Sequence, residues 1–287
     1  MPQDTSHPPR ADADAAATAS DEGRPSPAEG RITVRRTDDA LMLICIDRPA
    51  KRNGFTPEMA DALARAYTDY EHDDTLRCAV VHAAGAHFTG GLDLPRWAER
   101  MQRGEDTYAP GTIDPCDLRE PRRTKPVVYA VQGVCYTLGI ELMLAADIVV
   151  AADDCRFSQL EVKRGIMATG GGAFRIAERA GTGNAMLVLL TGDEFDAATA
   201  FRFGLVQQVV PAGTQLDAAL AIARRIAAAA PLAVRATIES ARLAREQGPL
   251  SAIARYRDVQ RRLAASEDAR EGVAAFVERR PSRFTGR

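Results

Sequence analysis

The chain has 287 residues, of which 46% are hydrophobic and 26% charged, the balance of a globular protein with a sizeable core. Lys plus Arg is 37 and Asp plus Glu is 39, a net charge of −2, which gives neither a basic field for nucleic acid nor a polybasic membrane anchor. The longest apolar run, 226–234, contains Pro231 and is nine residues long, well short of the ~20 that a membrane-spanning helix needs.

Residues 1–30 contain no Ile, Leu, Val or aromatic residue but hold 7 Ala and 5 of the 16 Pro. Such a segment buries too little apolar area to offset its ordering entropy and reads as a disordered tail. With no apolar stretch, and 6 acidic residues against 2 Arg, it is neither a signal peptide nor a transit peptide. The folded part then begins at Arg31 and carries 35 basic and 33 acidic residues.

From there the elements follow in order. Residues 31–37 and 40–47 read as two strands joined at Asp38-Asp39. Thr56-Pro57-Glu58 is a helix start, with Thr as N-cap, Pro at the first position and an acid in the first turn; Met59, Leu63, Tyr67 and Tyr70 follow at helical spacing. A strand is expected over 77–83, a Gly-containing loop over 85–91 and a short helix over 93–101. The stretch 103–125 is polar and rich in Pro and Gly, long enough to suggest a functional lid, a mobile wall of the site. A strand at 127–131, a helix at 137–146 and strands at 148–152 and 156–159 come next. Gly170-Gly171-Gly172 opens a helix to Ala180; helices at 184–190 and 197–203 and a last strand at 205–210 follow. From Leu216 onward only helical periodicity appears, broken at Pro231 and at Gly248-Pro249. The rhythm is α/β, repeated ββα turns and then helices, dividing the chain at 31–225 and 226–287.

Two carboxylates stand out. Glu141 lies in Leu138-Gly139-Ile140-Glu141-Leu142-Met143-Leu144, a helix apolar on nearly every face. Burial there raises its pKa unless a partner offsets it, so it is either a structurally satisfied Glu or a working one. Glu161 follows a strand and precedes Val162-Lys163-Arg164; alone it reads as a surface charge. Gly90-Gly91 and Gly170-Gly171-Gly172 precede helices, whose first N–H groups suit an anion, although glycine is also simply common in turns. Phosphate-loop and dinucleotide glycine motifs are absent. His7, His72, His82 and His87 form no metal-ligand pair, and no metal is assigned. The five cysteines, Cys45, Cys78, Cys116, Cys135 and Cys155, are odd in number, widely spaced and without Cys-x-x-Cys. They form neither a disulfide framework nor a zinc site and read as thiols of a reducing, cytoplasmic protein.

Four stretches, in this order, resemble the crotonase superfamily, the enoyl-CoA hydratase/isomerase family: Ile46-Asp47-Arg48-Pro49-Ala50-Lys51-Arg52-Asn53; Phe88-Thr89-Gly90-Gly91-Leu92-Asp93-Leu94; Lys125-Pro126 through Ala146-Asp147; and Thr191-Gly192 through Gly204-Leu205-Val206. The resemblance implies a spiral of ββα units followed by an all-helical C-terminal trimerisation part. It implies an acyl-CoA thioester as substrate, no cofactor beyond the CoA of that substrate, and a homotrimer or hexamer with neither nucleic acid nor membrane as partner. Glu141 and Glu161 match the two catalytic glutamates of the hydratases, and the backbone N–H groups of Leu92 and Leu138 match the oxyanion hole. Ala50, Lys51, Arg52, Gly90, Asp93, Leu94, Leu160 and Thr169 match substrate and CoA contacts, and Phe276 and Arg279 match residues that reach a neighbouring subunit's CoA. The chain departs from the family pattern at Leu138, usually Gly, and at Ala168-Thr169, commonly Pro-Gly. Retention of both glutamates implies hydration of a 2-enoyl-CoA. The alternatives are another crotonase reaction, isomerisation or thioester hydrolysis, and a non-catalytic acyl-CoA-binding protein.

Overall fold

The computed structural model describes residues 29–287. The expected tail lies outside the described residues except for Glu29 and Gly30. Strands β1 (Arg31–Arg36) and β2 (Leu41–Asp47) form the antiparallel hairpin read from the sequence. Helix α1 (Pro57–His72) starts where its cap requires: the Thr56 hydroxyl accepts a hydrogen bond from the Met59 N–H at 3.3 Å. Then come β3 (Cys78–Ala83), α2 (Leu94–Gln102), the irregular stretch 103–125, β4 (Val127–Val131), β5 (Val134–Tyr136), α3 (Leu138–Ala145), β6 (Ile148–Ala152) and β7 (Arg156–Ser158). A 3₁₀ turn, Glu161–Arg164, leads to α4 (Gly172–Ala180), α5 (Thr182–Thr191), β8 (Phe195–Asp196), α6 (Ala197–Arg202) and β9 (Gln208–Val210). Helices α7 (Gln215–Ala227), α8 (Pro231–Gln247), α9 (Pro249–Ala264) and α10 (Glu267–Glu278) complete the chain.

One six-stranded sheet runs β1-β2-β3-β4-β6-β9, parallel except at β1–β2. The central strands β4 and β6 are apolar at every position, and β2 and β3 nearly so, because both faces are covered there, whereas the edge strand β1 is charged and largely exposed. Leu41 and Leu43 of β2 face Ala219, Ala223 and Ala227 of α7, while Met42, Ile44 and Ile46 face Met59, Leu63 and Tyr67 of α1. Each fully buried Leu or Ile of this kind contributes about 1.5–3 kcal/mol.

A second, three-stranded sheet, β5-β7-β8, stands apart from the first and carries the functional region. Neither β5 nor β8 is legible in the sequence, since three and two residues are too few to show a strand's alternation. The last strand begins at Gln208 rather than Leu205, because Leu205 and Val206 are buried in the turn after α6. Residue 225 falls inside α7, and α7 packs on the sheet, so the helices that leave the sheet begin with α8.

Candidate active site

Two backbone segments meet at the mouth of the small sheet. The loop after β3 is pinned by an isolated bridge between Thr89 and Cys135 and by the Tyr136 N–H, which donates to the Thr89 carbonyl at 3.0 Å. The Thr89 hydroxyl donates to the Asn53 carbonyl at 2.7 Å and accepts from the Gly91 N–H at 3.0 Å. Gly91 has φ +98, and a Cβ there would overlap the Thr137 hydroxyl. Glycine is therefore required twice over, for its φ and for the close approach. Thr137 itself sits at φ 47 and ψ −115, a costly conformation for a β-branched residue at the entry to α3. The sequence flags Leu138 as the departure from a glycine pattern, whereas the backbone strain falls one residue earlier.

Leu92 and Leu138, on the two segments of this crossing, both line one cavity. Among the described residues, no acceptor takes the N–H of either one. Leu138 is the first residue of α3, where a helix has no internal partner for its N–H groups.

Glu141 is 5% exposed, in a helix whose every residue is buried. Burial raises its pKa; backbone hydrogen bonds from Gly172 and Gly170 and the nearby Arg175 charge pull the other way. The Gly172 N–H donates to Glu141 Oε1 at 3.1 Å. A side chain at Gly170 would run into the same carboxylate, so the glycine run brings the start of α4 onto Glu141. Glu161, which alone reads as a surface charge, is 7% exposed because the 3₁₀ turn after β7 folds it inward. Burial pushes it up to about 7, with the Glu141 charge adding to the rise. Gln159, buried and not foreseen from the sequence, places its amide against acceptors; with the amide oriented so that its nitrogen faces them, it donates to Glu161 Oε1 and Oε2 at 3.2 and 3.3 Å and to the Thr137 carbonyl at 3.3 Å. That donation favours the ionised carboxylate and opposes burial.

The cavity they share is about 800 Å³. Gly90, Leu92, Leu94, Leu138, Glu141, Leu160, Glu161 and Thr169 line it together. Its far wall is the stretch 103–125, which contributes Tyr108, Asp114, Cys116 and Leu118. Ala50, Lys51 and Arg52 are exposed on a 3₁₀ turn beside it, where the Arg52 carbonyl accepts from the Gly90 N–H at 2.8 Å. Asp93 does not reach the cavity; its carboxylate pairs with Arg48 at 2.8 Å at the start of α2. Phe276, 86% exposed, and Arg279 lie at the end of α10, and no residue of 226–287 lines the cavity of the same chain.

The sequence model of the enoyl-CoA hydratase/isomerase family matches residues 36–287. The chain belongs to this family. Among its relatives is enoyl-CoA hydratase EchA19 of Mycobacterium tuberculosis, 33% identical over 89% of this chain and 99% of that protein. Another is 1,2-epoxyphenylacetyl-CoA isomerase of Escherichia coli, 31% identical over 87% of this chain and 97% of that one. The crystal structure of a probable enoyl-CoA hydratase/isomerase from Mycobacterium abscessus superposes with a TM-score of 0.86 at 45% identity, covering 89% of this chain and 98% of that one. Hydratases and an isomerase of this family thus stand at comparable identity. The choice between reactions rests on the site itself.

Proposed function

We propose that the protein is an enoyl-CoA hydratase that adds water across the 2,3 double bond of an enoyl-CoA thioester. The observation that carries this reading is the pair of buried glutamates in one cavity, held in different environments. Glu141, whose carboxylate accepts from the backbone at the start of α4, serves as the base, and Glu161, pushed up to about 7 by burial, still holds a proton in a sizeable share of molecules near neutral pH and serves as the acid. The thioester oxygen sits between the N–H groups of Leu92 and Leu138, where negative charge develops as water attacks; such donors contribute about 3–4 kcal/mol each. Glu141 takes a proton from the water as its oxygen bonds to C3. Glu161 delivers its proton to C2, and the thioester carbonyl re-forms. The oxidation level is unchanged, so these side chains suffice for the chemistry.

The exposed cations Lys51 and Arg52 flank the Gly90 loop and suit the phosphates of CoA. Phe276 and Arg279 serve the same ligand from a neighbouring copy in a homotrimer or hexamer. The test is a panel of 2-enoyl-CoA thioesters of increasing length, with products identified by mass spectrometry. The expected product has gained one water. A product of unchanged mass with a displaced double bond, or free CoA, contradicts hydration.

A further inference from the structure

Arg175, on the first turns of α4, is among the largest fully buried side chains, 1% exposed. Its hydrogen bonds go to carbonyls rather than to a carboxylate. Nη2 donates to Cys116 O at 2.7 Å and Asp117 O at 3.4 Å, and Nη1 donates to Gly170 O at 3.2 Å. Its Nε has no partner. The Phe174 ring lies 4.9 Å from its guanidinium centre, but among the described residues no carboxylate touches it; a cation buried without a direct ion pair is expensive, and an unsatisfied N–H adds to the cost. The position therefore calls for a role beyond packing.

The three carbonyls belong to two walls of one cavity. Cys116 lies on the far wall, and Gly170 belongs to the turn that carries Glu141's hydrogen-bond donor, Gly172. Only a planar guanidinium offers a fixed fork that spans both. The same stretch is held from its other side. The Asp117 carboxylate pairs with Arg122 at 2.6 Å and with Arg242 of α8 at 3.6 Å, while Asp114 accepts from the Cys116 and Leu118 N–H groups at 2.8 and 3.2 Å. The far wall is thus fixed at 114–118.

We propose that Arg175 is a positioning residue that sets the depth of the acyl cavity, by tying the Cys116–Asp117 carbonyls to the Gly170 turn beside Glu141. The consequence for acyl-chain selection rests on the enoyl-CoA reading above; the tie itself does not.

Arg175→Gln removes the cation, and Arg175→Lys keeps it but cannot span both walls, which covers the case in which the first variant does not fold. Thiol alkylation of the native protein is followed at each cysteine by peptide mass spectrometry. Cys78, Cys135 and Cys155, all buried, serve as internal references for general loosening. In either variant Cys116 should alkylate about tenfold faster or more, with the three references unchanged, as for a local opening. The kcat/KM ratio of long to short enoyl-CoA thioesters should move by about tenfold. Equal acceleration at all four buried thiols, unchanged Cys116 labelling, or an unchanged chain-length ratio overturns the proposal. If the wild-type protein hydrates no enoyl-CoA, the functional reading fails, while the thiol comparison still decides whether Arg175 holds the wall.

Discussion

Glu141 and Glu161 show how one residue type takes two roles. Both are buried, but the start of α4 donates to Glu141, whereas Glu161 meets the cavity with an amide partner and a like charge nearby. The raised pKa of Glu161 has a consequence for stability. Between the ordinary carboxylate value of 4.5 and about 7, the folded state holds a proton that the unfolded state has lost. Stability contributed at Glu161 is therefore present at low pH and lost as pH rises through the folded value. Glu161→Gln should raise Tm at pH 8, by roughly 2–4 °C per kcal/mol recovered, and leave it nearly unchanged near pH 4, below the unfolded value. Thermal denaturation at the two pH values checks this; an equal shift at both would show that the charge is not the cause. Glu141 was visible in the sequence because its helix offers no other polar side chain. Glu161 was not visible from its own neighbours, since only the 3₁₀ turn decides which way it faces, and it entered through the family resemblance. Gln159 gave no signal, because a Gln at a strand end looks like any surface residue.

At the scale of elements, the site is a crossing of backbone segments with no room for side chains. Gly91 and Thr137 share one space, and each sits at positive φ. Gly91→Ala adds a Cβ that overlaps Thr137 and should cost about 1–3 kcal/mol in urea unfolding. Thr137→Gly removes both the clash and the strained φ. The double variant should recover most of the loss, and a purely additive result would sink the idea of a shared constraint. The long strands and capped helices were legible, since Thr56-Pro57 and the apolar runs of β2, β3, β4 and β6 carry local signals. The small sheet was not, because β5 and β8 exist only through partners distant in sequence. The stretch 103–125 reads from its length and composition as a mobile lid; it does line the cavity, but its segment 114–118 is held by Arg175 and Arg242 from elsewhere in the chain, which no local signal shows.

At the scale of the molecule, helices α8 to α10 leave a large apolar surface uncovered. Leu250 is 78% exposed, Val273 67%, Phe276 86% and Val277 73%, and a groove of about 640 Å³ opens between α8 and α9. Patches of this size mark interfaces. Closed symmetry would carry Phe276 and Arg279 of one copy to the cavity of the next. Sedimentation at micromolar concentration should show a trimer or hexamer. Arg279→Glu should raise KM for CoA thioesters roughly tenfold or more, with kcat little changed, because a phosphate contact binds ground and transition states alike. A monomer, or an unaltered KM, would rule out the shared site. The central claim is that the two glutamates carry out hydration, and its most direct measurement is the loss of the enoyl-thioester absorbance with crotonyl-CoA. Glu141→Gln and Glu161→Gln should each lower kcat by roughly 10²–10⁴-fold while remaining folded. Wild-type turnover in either folded variant would contradict it.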